Sequence, residues 1–271
     1  MNSELPQIKG GIPQYYDLGL GPNIFEDLGR DLANCVAALN PKNVLELACG
    51  TGIVTRLLRD ALDNTCQLTA TDIIEPMLNV AREKFDDSGQ VKLQVADAQE
   101  LPFQDKSFDT LICQFGIMFF ADKNTAYREA WRVLAPGGRY IFNVWNSFEY
   151  NIFARITHET AASFFQDDPP AFYHTPFSYY DVENITQSLK SAGFEDVSSD
   201  DQRFKKVIGD YDRFAQGLVF GNPLVNEIRS RGSVEPEDVC SAIAKALREE
   251  FGTEPSSMPL QAIVVSGTRP S

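Results

Sequence analysis

The stretch that decides the fold is NVLELACGTGIVTRLL, residues 43–58. A short apolar run predicts a buried strand, the turn Cys49-Gly50-Thr51-Gly52 ends it, and apolar residues at helical spacing follow at once. Glycines allow a ligand to approach the backbone, and the N-terminus of a helix offers free N–H groups and a partial positive charge. The stretch therefore predicts a cradle of nucleotide size. Gly-x-Gly loops also occur in dinucleotide enzymes and in ordinary turns, so this loop alone does not decide the function.

A carboxylate interrupts the apolar run. Glu46 lies inside the predicted strand, four residues before Gly50. Burying a carboxylate is costly unless it meets a hydrogen-bond donor. We therefore expect Glu46 to face such a donor.

Length and charge limit the classes of function. The 271 residues suffice for one large domain, or for one domain with a cap. A formal charge of −14 repels phosphate backbones, so we expect no nucleic-acid partner, and anionic membranes are disfavoured for the same reason. The 19 Phe and 9 Tyr suggest either an aromatic-lined pocket or core packing alone.

Cysteine and histidine usage gives no sign of a metal centre. The five cysteines form no C-x-x-C pair and the chain has only two histidines, so we expect no metal site. Reduced thiols fit a cytoplasmic protein. The first residues, MNSELPQIKGG, lack the apolar core of a targeting signal. No apolar run reaches the ~18 residues of a spanning helix, so we expect no membrane insertion.

Strand and helix patterns alternate over the first half of the chain. Gly19, Gly21 and Pro22 are expected to break an N-terminal aromatic segment, and helical spacing follows over residues 24–39. Beyond the glycine turn the alternation predicts an α/β fold, a doubly wound parallel sheet with helices on both faces. The predicted strands are 67–72, 91–95, 107–115 and 139–145, the last entered by a sharp turn at Pro136-Gly137-Gly138, and the predicted helices are 52–63, 75–86 and 122–134.

The second half has a different pattern. Residues 147–180 are rich in aromatic residues and interrupted by prolines, and the later segments predict a helix at 181–192, a strand within 195–207, two or three helices over 209–252 and a last strand at 260–268. We predict six segments: an N-terminal lid or helical segment (1–40), the core (41–146), a cap insertion (147–180), a core helix and strand (181–208), a helical insertion (209–256) and the final core strand (257–271).

Polar residues follow consecutive predicted strands. Asp72 lies 22 residues beyond Gly50 at a strand end, where an acid can accept hydrogen bonds from ribose or simply cap the turn before the next helix. Asp97 could read an adenine edge or be a solvated turn acid. Gln114 precedes a glycine that permits close approach to a ligand or only turns the chain. Because ligands of doubly wound folds gather at the carboxyl ends of strands, these residues and Glu46 together predict a nucleotide-binding edge.

Several segments together resemble the class I S-adenosylmethionine-dependent methyltransferases. They are VLELACGTG (44–52), TD (71–72), VADA (95–98), LPF (101–103), SFD (107–109) and RVLAPGG (132–138). Nicotinamide enzymes share the first loop but not this series, so methyl transfer is favoured over hydride transfer. The resemblance covers residues 14–146, and residues 115–138 are similar to quinone-biosynthesis C-methyltransferases. It implies S-adenosylmethionine as cofactor and a seven-stranded Rossmann-like sheet whose last strand is antiparallel and lies beside the fifth.

The resemblance also implies roles for individual residues. Glu46 and the Gln114 carbonyl would meet the methionyl amine, and Asp72 would take the ribose hydroxyls. Ile73 would pack on adenine, Asp97 would accept from the adenine amino group, and the Ala98 N–H would face a ring nitrogen. One of two tyrosines resembles a lid over the cofactor, although helix packing is an equal alternative. The predicted cofactor-binding residues are Tyr15, Tyr16, Glu46, Ala48, Gly50, Thr51, Gly52, Asp72, Ile73, Met77, Asp97, Ala98, Gln114 and Phe115.

We expect an enzyme that methylates a small, partly apolar acceptor at O, N or C by in-line displacement, without a metal. His174 is the candidate base, because Tyr173 and Thr175-Pro176-Phe177 around it could line an acceptor pocket; a loop histidine is also a common surface residue. The alternatives are a catalytically silent cofactor-binding subunit and a nicotinamide oxidoreductase. The insertions predict a cap, a homodimer interface or both.

Overall fold

The computed structural model describes residues 8–85 and 90–271, and a single seven-stranded sheet is its central feature. The strands are β1 (Asn43–Leu47), β2 (Gln67–Asp72), β3 (Val91–Val95), β4 (Phe108–Gln114), β5 (Leu134–Trp145), β6 (Glu195–Ile208) and β7 (Ser256–Thr268). Their order across the sheet is β3-β2-β1-β4-β5-β7-β6. The first five strands are parallel, and β7 runs antiparallel to β5. This order confirms the predicted doubly wound fold and the place of its antiparallel strand.

One predicted feature takes a different form in β5. The sharp turn expected at 136–138 lies inside the strand, as a bulge. Phe108 of β4 pairs with Leu134, and Thr110 pairs with Arg139, so residues 135–138 oppose a single residue of β4. Gly137 has a φ of +77° there, which glycine adopts without strain.

Helices cover both faces of the sheet. On one face, α2 (Glu26–Ala38) and α3 (Ile53–Ala61) pack on the strands. On the same face, Leu78 of α4 (Glu75–Arg82) and Ala70 of β2 belong to one buried apolar cluster. On the other face, Tyr127 of α5 (Lys123–Val133) contacts Phe142 of β5 at a ring-centroid distance of 5.8 Å. The core of the first face is formed by Leu32, Ala33, Val36, Val44, Val54, Leu58, Leu62, Cys66, Leu68, Ile112 and Ile141.

The N-terminal segment contradicts a prediction. Gly19, Gly21 and Pro22 do not break the helical path, because α1 (Ile12–Tyr15) continues through a π-helical segment, Tyr16–Phe25, into α2. Close packing explains the first glycine, since a Cβ at Gly19 would lie 2.6 Å from the Cα of Gly217. Residues 1–7, and Asp86 at the end of the predicted helix 75–86, lie outside the described residues.

By contacts within the chain, the molecule divides into two units. The sheet unit comprises residues 26–147, 175–203 and 261–271, and the helical unit comprises residues 8–25, 148–174 and 204–260. The six-segment division is not tested by this grouping and stays a prediction. The remaining helices are α6 (Ile152–Ser163), α7 (Val182–Ser191), α8 (Tyr211–Phe220), α9 (Leu224–Arg231) and α10 (Pro236–Phe251). None of the helices in 8–85 and 90–271 is long and apolar enough to cross a membrane.

Two residues of the sequence motifs hold the sheet unit together. Asp109, of SFD, accepts hydrogen bonds from the backbone N–H groups of Lys42 and Asn43 at 2.7 and 3.1 Å, which ties the start of β4 to that of β1. Arg132 donates to the carbonyl oxygens of Leu101 and Phe103 at 2.9 and 2.7 Å. Asp109 therefore supports the start of β1, and Arg132 supports the loop that follows β3.

Candidate functional site

The carboxyl ends of β1 and β2 are joined directly. Leu47 pairs with Thr71, and the Cys49 N–H donates to the Thr71 carbonyl at 2.9 Å. The Gly50 N–H donates to Asp72 Oδ2 at 2.8 Å. The glycine turn is thus held over the end of β2, where the first turn of α3 presents its N-terminal N–H groups.

Left-handed backbone conformations concentrate at the ends of the central strands. Residues with a side chain are strained at positive φ, yet φ is +52° at Ala48 and +54° at Phe115, the residues that follow β1 and β4. Gly50 and Gly52 have φ of +57° and +76°. A Cβ at Gly116 would lie 2.4 Å from the Ala48 Cβ, so only glycine fits where the two strand ends meet. Such strain is typical of a ligand-binding edge.

Glu46 is buried in β1, with 1% of its surface exposed. Its Oε2 atom makes no hydrogen bond within 8–85 and 90–271. Burial raises its pKa to about 8 and the Asp72 carboxylate adds to the rise, while the Thr55 hydroxyl lowers the pKa. No hydrogen bond of ordinary geometry joins that hydroxyl to the described residues. A buried acceptor without a protein donor is suited to a cationic ligand group.

Asp72 supports the backbone on both sides. Its Oδ2 holds Gly50, and its Oδ1 accepts from the Ile74 N–H at 2.8 Å, the capping arrangement weighed as an alternative to ribose binding. Each oxygen keeps a second lone pair. Burial raises the Asp72 pKa. The next residue, Ile73, is 61% exposed, which leaves an apolar side chain open beside the strand end.

Asp97 follows β3 and is held by a residue that the sequence did not single out as a site. Gln99 donates to Asp97 Oδ1 from its backbone N–H at 2.8 Å and from Nε2 at 3.1 Å. Gln99 Oε1 accepts from the N–H of Asp122, the N-cap residue of α5, at 2.7 Å. Gln99 therefore fixes the Asp97 carboxylate relative to α5. Ala98 between them is buried.

The ends of β4 and β5 bring a further polar residue to this face. Gln114 pairs with Asn143, and Phe115 stacks on Trp145 with ring centroids 3.9 Å apart. Asn143 Oδ1 accepts from the Phe115 N–H at 3.1 Å. We did not predict a role for Asn143; its signal was an amide within the apolar run YIFNVW.

The other predicted residues fall in two places. Thr51 is buried and Met77 half-buried, both in the sheet unit. Tyr15 and Tyr16 belong to the helical unit, where Tyr15 contacts Phe220 at a centroid distance of 5.1 Å and Tyr16 stacks on Phe25 at 4.9 Å. These contacts match the packing alternative, and a lid role for the tyrosines stays a prediction.

His174 also lies in the helical unit, in a short 3-10 turn (Phe172–His174). It is exposed and contacts His158 edge-on at a centroid distance of 4.3 Å. Burial and the neighbouring His174 lower the pKa of His158. The two histidines of the chain therefore meet, and a catalytic role for His174 stays a prediction.

The edge of the sheet unit fits the cofactor that the motifs imply. It offers a buried acceptor at Glu46 that has no donor among the described residues, a glycine turn whose φ values admit close backbone approach, and an exposed apolar side chain at Ile73 for an aromatic ring. S-adenosylmethionine carries all three complementary groups.

Comparisons with known proteins agree with this fit. Residues 45–142 match the sequence model of the family described as "Methyltransferase domain". The ubiquinone/menaquinone biosynthesis C-methyltransferase UbiE of Shewanella halifaxensis is 31% identical over 168 residues, which are 57% of this chain and 67% of the relative. The same enzyme of Idiomarina loihiensis is 29% identical over 186 residues, 62% of this chain and 72% of the relative.

A solved structure supports the fold. Haemonchus contortus phosphoethanolamine N-methyltransferase 2, in complex with phosphomonomethylethanolamine and S-adenosylhomocysteine, matches with a TM-score of 0.60 at 16% identity, over 96% of this chain and 57% of that one. Together with the relatives in sequence, this places the motifs of the sheet unit in a known setting. The chain belongs to the class I S-adenosylmethionine-dependent methyltransferases.

Proposed function

We propose that the chain transfers the methyl group of S-adenosylmethionine to a small, partly apolar acceptor, and that the carboxyl edge of β1–β4 holds the cofactor. The observation that carries this proposal is Glu46 Oε2, a buried acceptor with no donor among the described residues, beside a glycine turn. A cation satisfies such an acceptor better than water does, because the pair is shielded from solvent.

Several of the predicted cofactor roles have support in the sheet unit. Glu46 would accept from the methionyl ammonium, together with the Gln114 carbonyl. The free lone pairs of Asp72 would accept from the ribose hydroxyls, and Ile73 would pack on the adenine ring. Asp97 would accept from the adenine amino group, since Gln99 fixes its orientation.

The chain's own contribution to the reaction is alignment and exclusion of water. S-adenosylmethionine supplies, when bound, an electrophilic methyl group on a sulfonium. Proximity and orientation of two reactants can lower a barrier by about 7–11 kcal/mol in good cases. A base is needed only for an acceptor that must lose a proton, and His174 is the candidate. The test of that role is the pH profile of kcat for a His174→Asn variant, which should lose the base limb.

Quinone precursors are the first acceptors to test. The support is the similarity to relatives named as ubiquinone/menaquinone biosynthesis C-methyltransferases, which extends over 57–62% of this chain. An aromatic, electron-rich ring carbon is a nucleophile that needs little more than alignment with the methyl group. The aromatic side chains of residues 147–180 are consistent with an acceptor of this kind.

Calorimetry and a methyl-transfer assay test the proposal in turn. The purified chain is titrated with S-adenosylmethionine, S-adenosylhomocysteine and NAD in parallel, and we expect micromolar binding of the first two and none of NAD. Transfer of labelled methyl from S-adenosylmethionine to a demethylated quinone, and to amine and phenol controls, then identifies the acceptor class. Binding of NAD alone would refute the cofactor site. Sedimentation of the same sample tests the predicted homodimer.

A further inference from the structure

A buried amide nitrogen near the end of β5 lacks a partner in the part of the chain that the structure describes. Asn143 is 1% exposed, and its Nδ2 makes no hydrogen bond to any residue in 8–85 or 90–271. A buried donor without an acceptor costs free energy, so native proteins rarely keep one without a reason.

The direction of this nitrogen is fixed by the other half of the amide. Asn143 Oδ1 and the Asn143 carbonyl both accept from the Phe115 N–H, each at 3.1 Å. Flipping the amide would set Nδ2 against that N–H, donor against donor, so the oxygen must face Phe115. The nitrogen therefore points away from Phe115, and residues 8–85 and 90–271 give it no acceptor.

This donor, which has no partner among the described residues, shares a face of the sheet with the Glu46 carboxylate. Side chains alternate along a strand, so Asn143 lies on the same face as Ile141, and Glu46 lies on the same face as Val44. Ile141 and Val44 belong to one core cluster, with α2 and α3. Glu46 and Asn143 thus line one face of β1 and β5 near their carboxyl ends, with β4 between them.

One part of the cofactor carries a hydrogen-bond partner for each of these two residues. The methionyl end of the cofactor is a zwitterion, with an ammonium that needs acceptors and a carboxylate that needs donors. We propose that Asn143 Nδ2 donates a hydrogen bond to the methionyl carboxylate, while Glu46 accepts from the ammonium. This inference rests on the cofactor site proposed above and makes Asn143 a determinant of specificity for the amino-acid moiety.

The alternative is a purely structural role. Asn143 supports Phe115, whose backbone is left-handed and whose ring stacks on Trp145. If support were its whole role, replacing Asn143 would weaken every ligand of the edge to the same extent. A ligand without the amino-acid moiety separates the two roles.

The test compares S-adenosylhomocysteine with 5′-methylthioadenosine, which keeps the adenosine and thioether but lacks the amino acid. Calorimetry at pH 8 is run on the wild type, on Asn143→Asp and on Asn143→Leu. The first variant keeps an oxygen for Phe115 and removes the donor; the second keeps only the main-chain bond to Phe115. We expect each variant to bind S-adenosylhomocysteine at least tenfold more weakly, because a hydrogen bond to a charged group is lost. The affinity for S-adenosylhomocysteine relative to that for 5′-methylthioadenosine should therefore fall.

A matched control is Asn184→Asp, which makes the same charge change at an exposed position of α7 and should leave both affinities unchanged. If the Asn143 variants lost affinity for both ligands to the same extent, the inference would be overturned and the proposed cofactor site would be unaffected. Wild-type binding of the two ligands with equal affinity would overturn it as well, because the amino acid would then contribute nothing. Failure of the wild type to bind either ligand would overturn the proposed function too.

Discussion

The buried carboxylate of Glu46 predicts that cofactor binding depends on pH. Its pKa of about 8 means that the side chain is mostly protonated at pH 6.5 when no ligand is bound. The ligand ammonium favours the ionised form, so binding must expel a proton from Glu46. Between pH 5.5 and 7.5, the Kd of S-adenosylhomocysteine should therefore fall roughly tenfold for each unit of rising pH.

The same shift has a consequence for stability, with a definite sign. The folded chain holds the Glu46 proton more tightly than the unfolded chain, whose pKa is near 4.5. The stabilising contribution is fully present below pH 4.5 and is lost as the pH rises toward 8. A rise in pKa from 4.5 to about 8 corresponds to roughly 5 kcal/mol of unfolding free energy.

Glu46→Gln is the perturbation that isolates this group, because glutamine keeps the shape and cannot ionise. The variant should bind S-adenosylhomocysteine with no pH slope, and relative to wild type it should gain stability in urea unfolding as the pH rises. Calorimetry in two buffers of different ionisation enthalpy should count about one proton released per ligand at pH 6.5 in wild type and none in the variant. A flat wild-type Kd over pH 5.5–7.5, or the same slope in both proteins, would refute the assignment of Glu46.

Three further predictions concern the rest of the edge. Asp72→Ala should weaken the binding of S-adenosylhomocysteine at least tenfold. It should also lower the free energy of unfolding in urea by about 1–3 kcal/mol, because two backbone N–H groups lose their acceptor; unchanged affinity would contradict ribose binding. Gly116→Ala should lower the unfolding free energy by about 1–3 kcal/mol, because its Cβ would meet Ala48; an unaltered urea midpoint would argue against that contact. Gln99→Leu should reduce the preference for S-adenosylhomocysteine over S-inosylhomocysteine about tenfold, because Asp97 loses the hydrogen bond from the Gln99 side chain and, through it, the link to Asp122; a constant affinity ratio by calorimetry would rule out this specificity role.

Much of the sheet could be predicted because its strands are short apolar runs between turns. The glycine turn after β1 and the acid at the end of β2 were recognisable from local sequence, since each is required by a local backbone geometry. The antiparallel position of β7 followed from the family resemblance. It could not have come from hydrophobic periodicity, which carries no information about strand order.

Other features depend on contacts between distant residues. The close packing of Gly19 in the π-helical segment against Gly217 joins residues far apart in the sequence, which local propensity does not record. The isolated donor of Asn143 becomes visible only when the partners of Phe115 are known. Gln99 looked like an ordinary loop residue, because its role requires Asp122 to lie beside it.

The contact of Gly19 with Gly217 also constrains the length of the chain between Tyr16 and Gly19. A residue inserted between Tyr16 and Gly19 would bring a side chain to a point where even a methyl group lies 2.6 Å from the opposing backbone. Length variants of this chain should therefore avoid the π-helical segment. The exposed turn at Gly209, where a Cβ would meet nothing within 4 Å, is the better place to insert a reporter peptide.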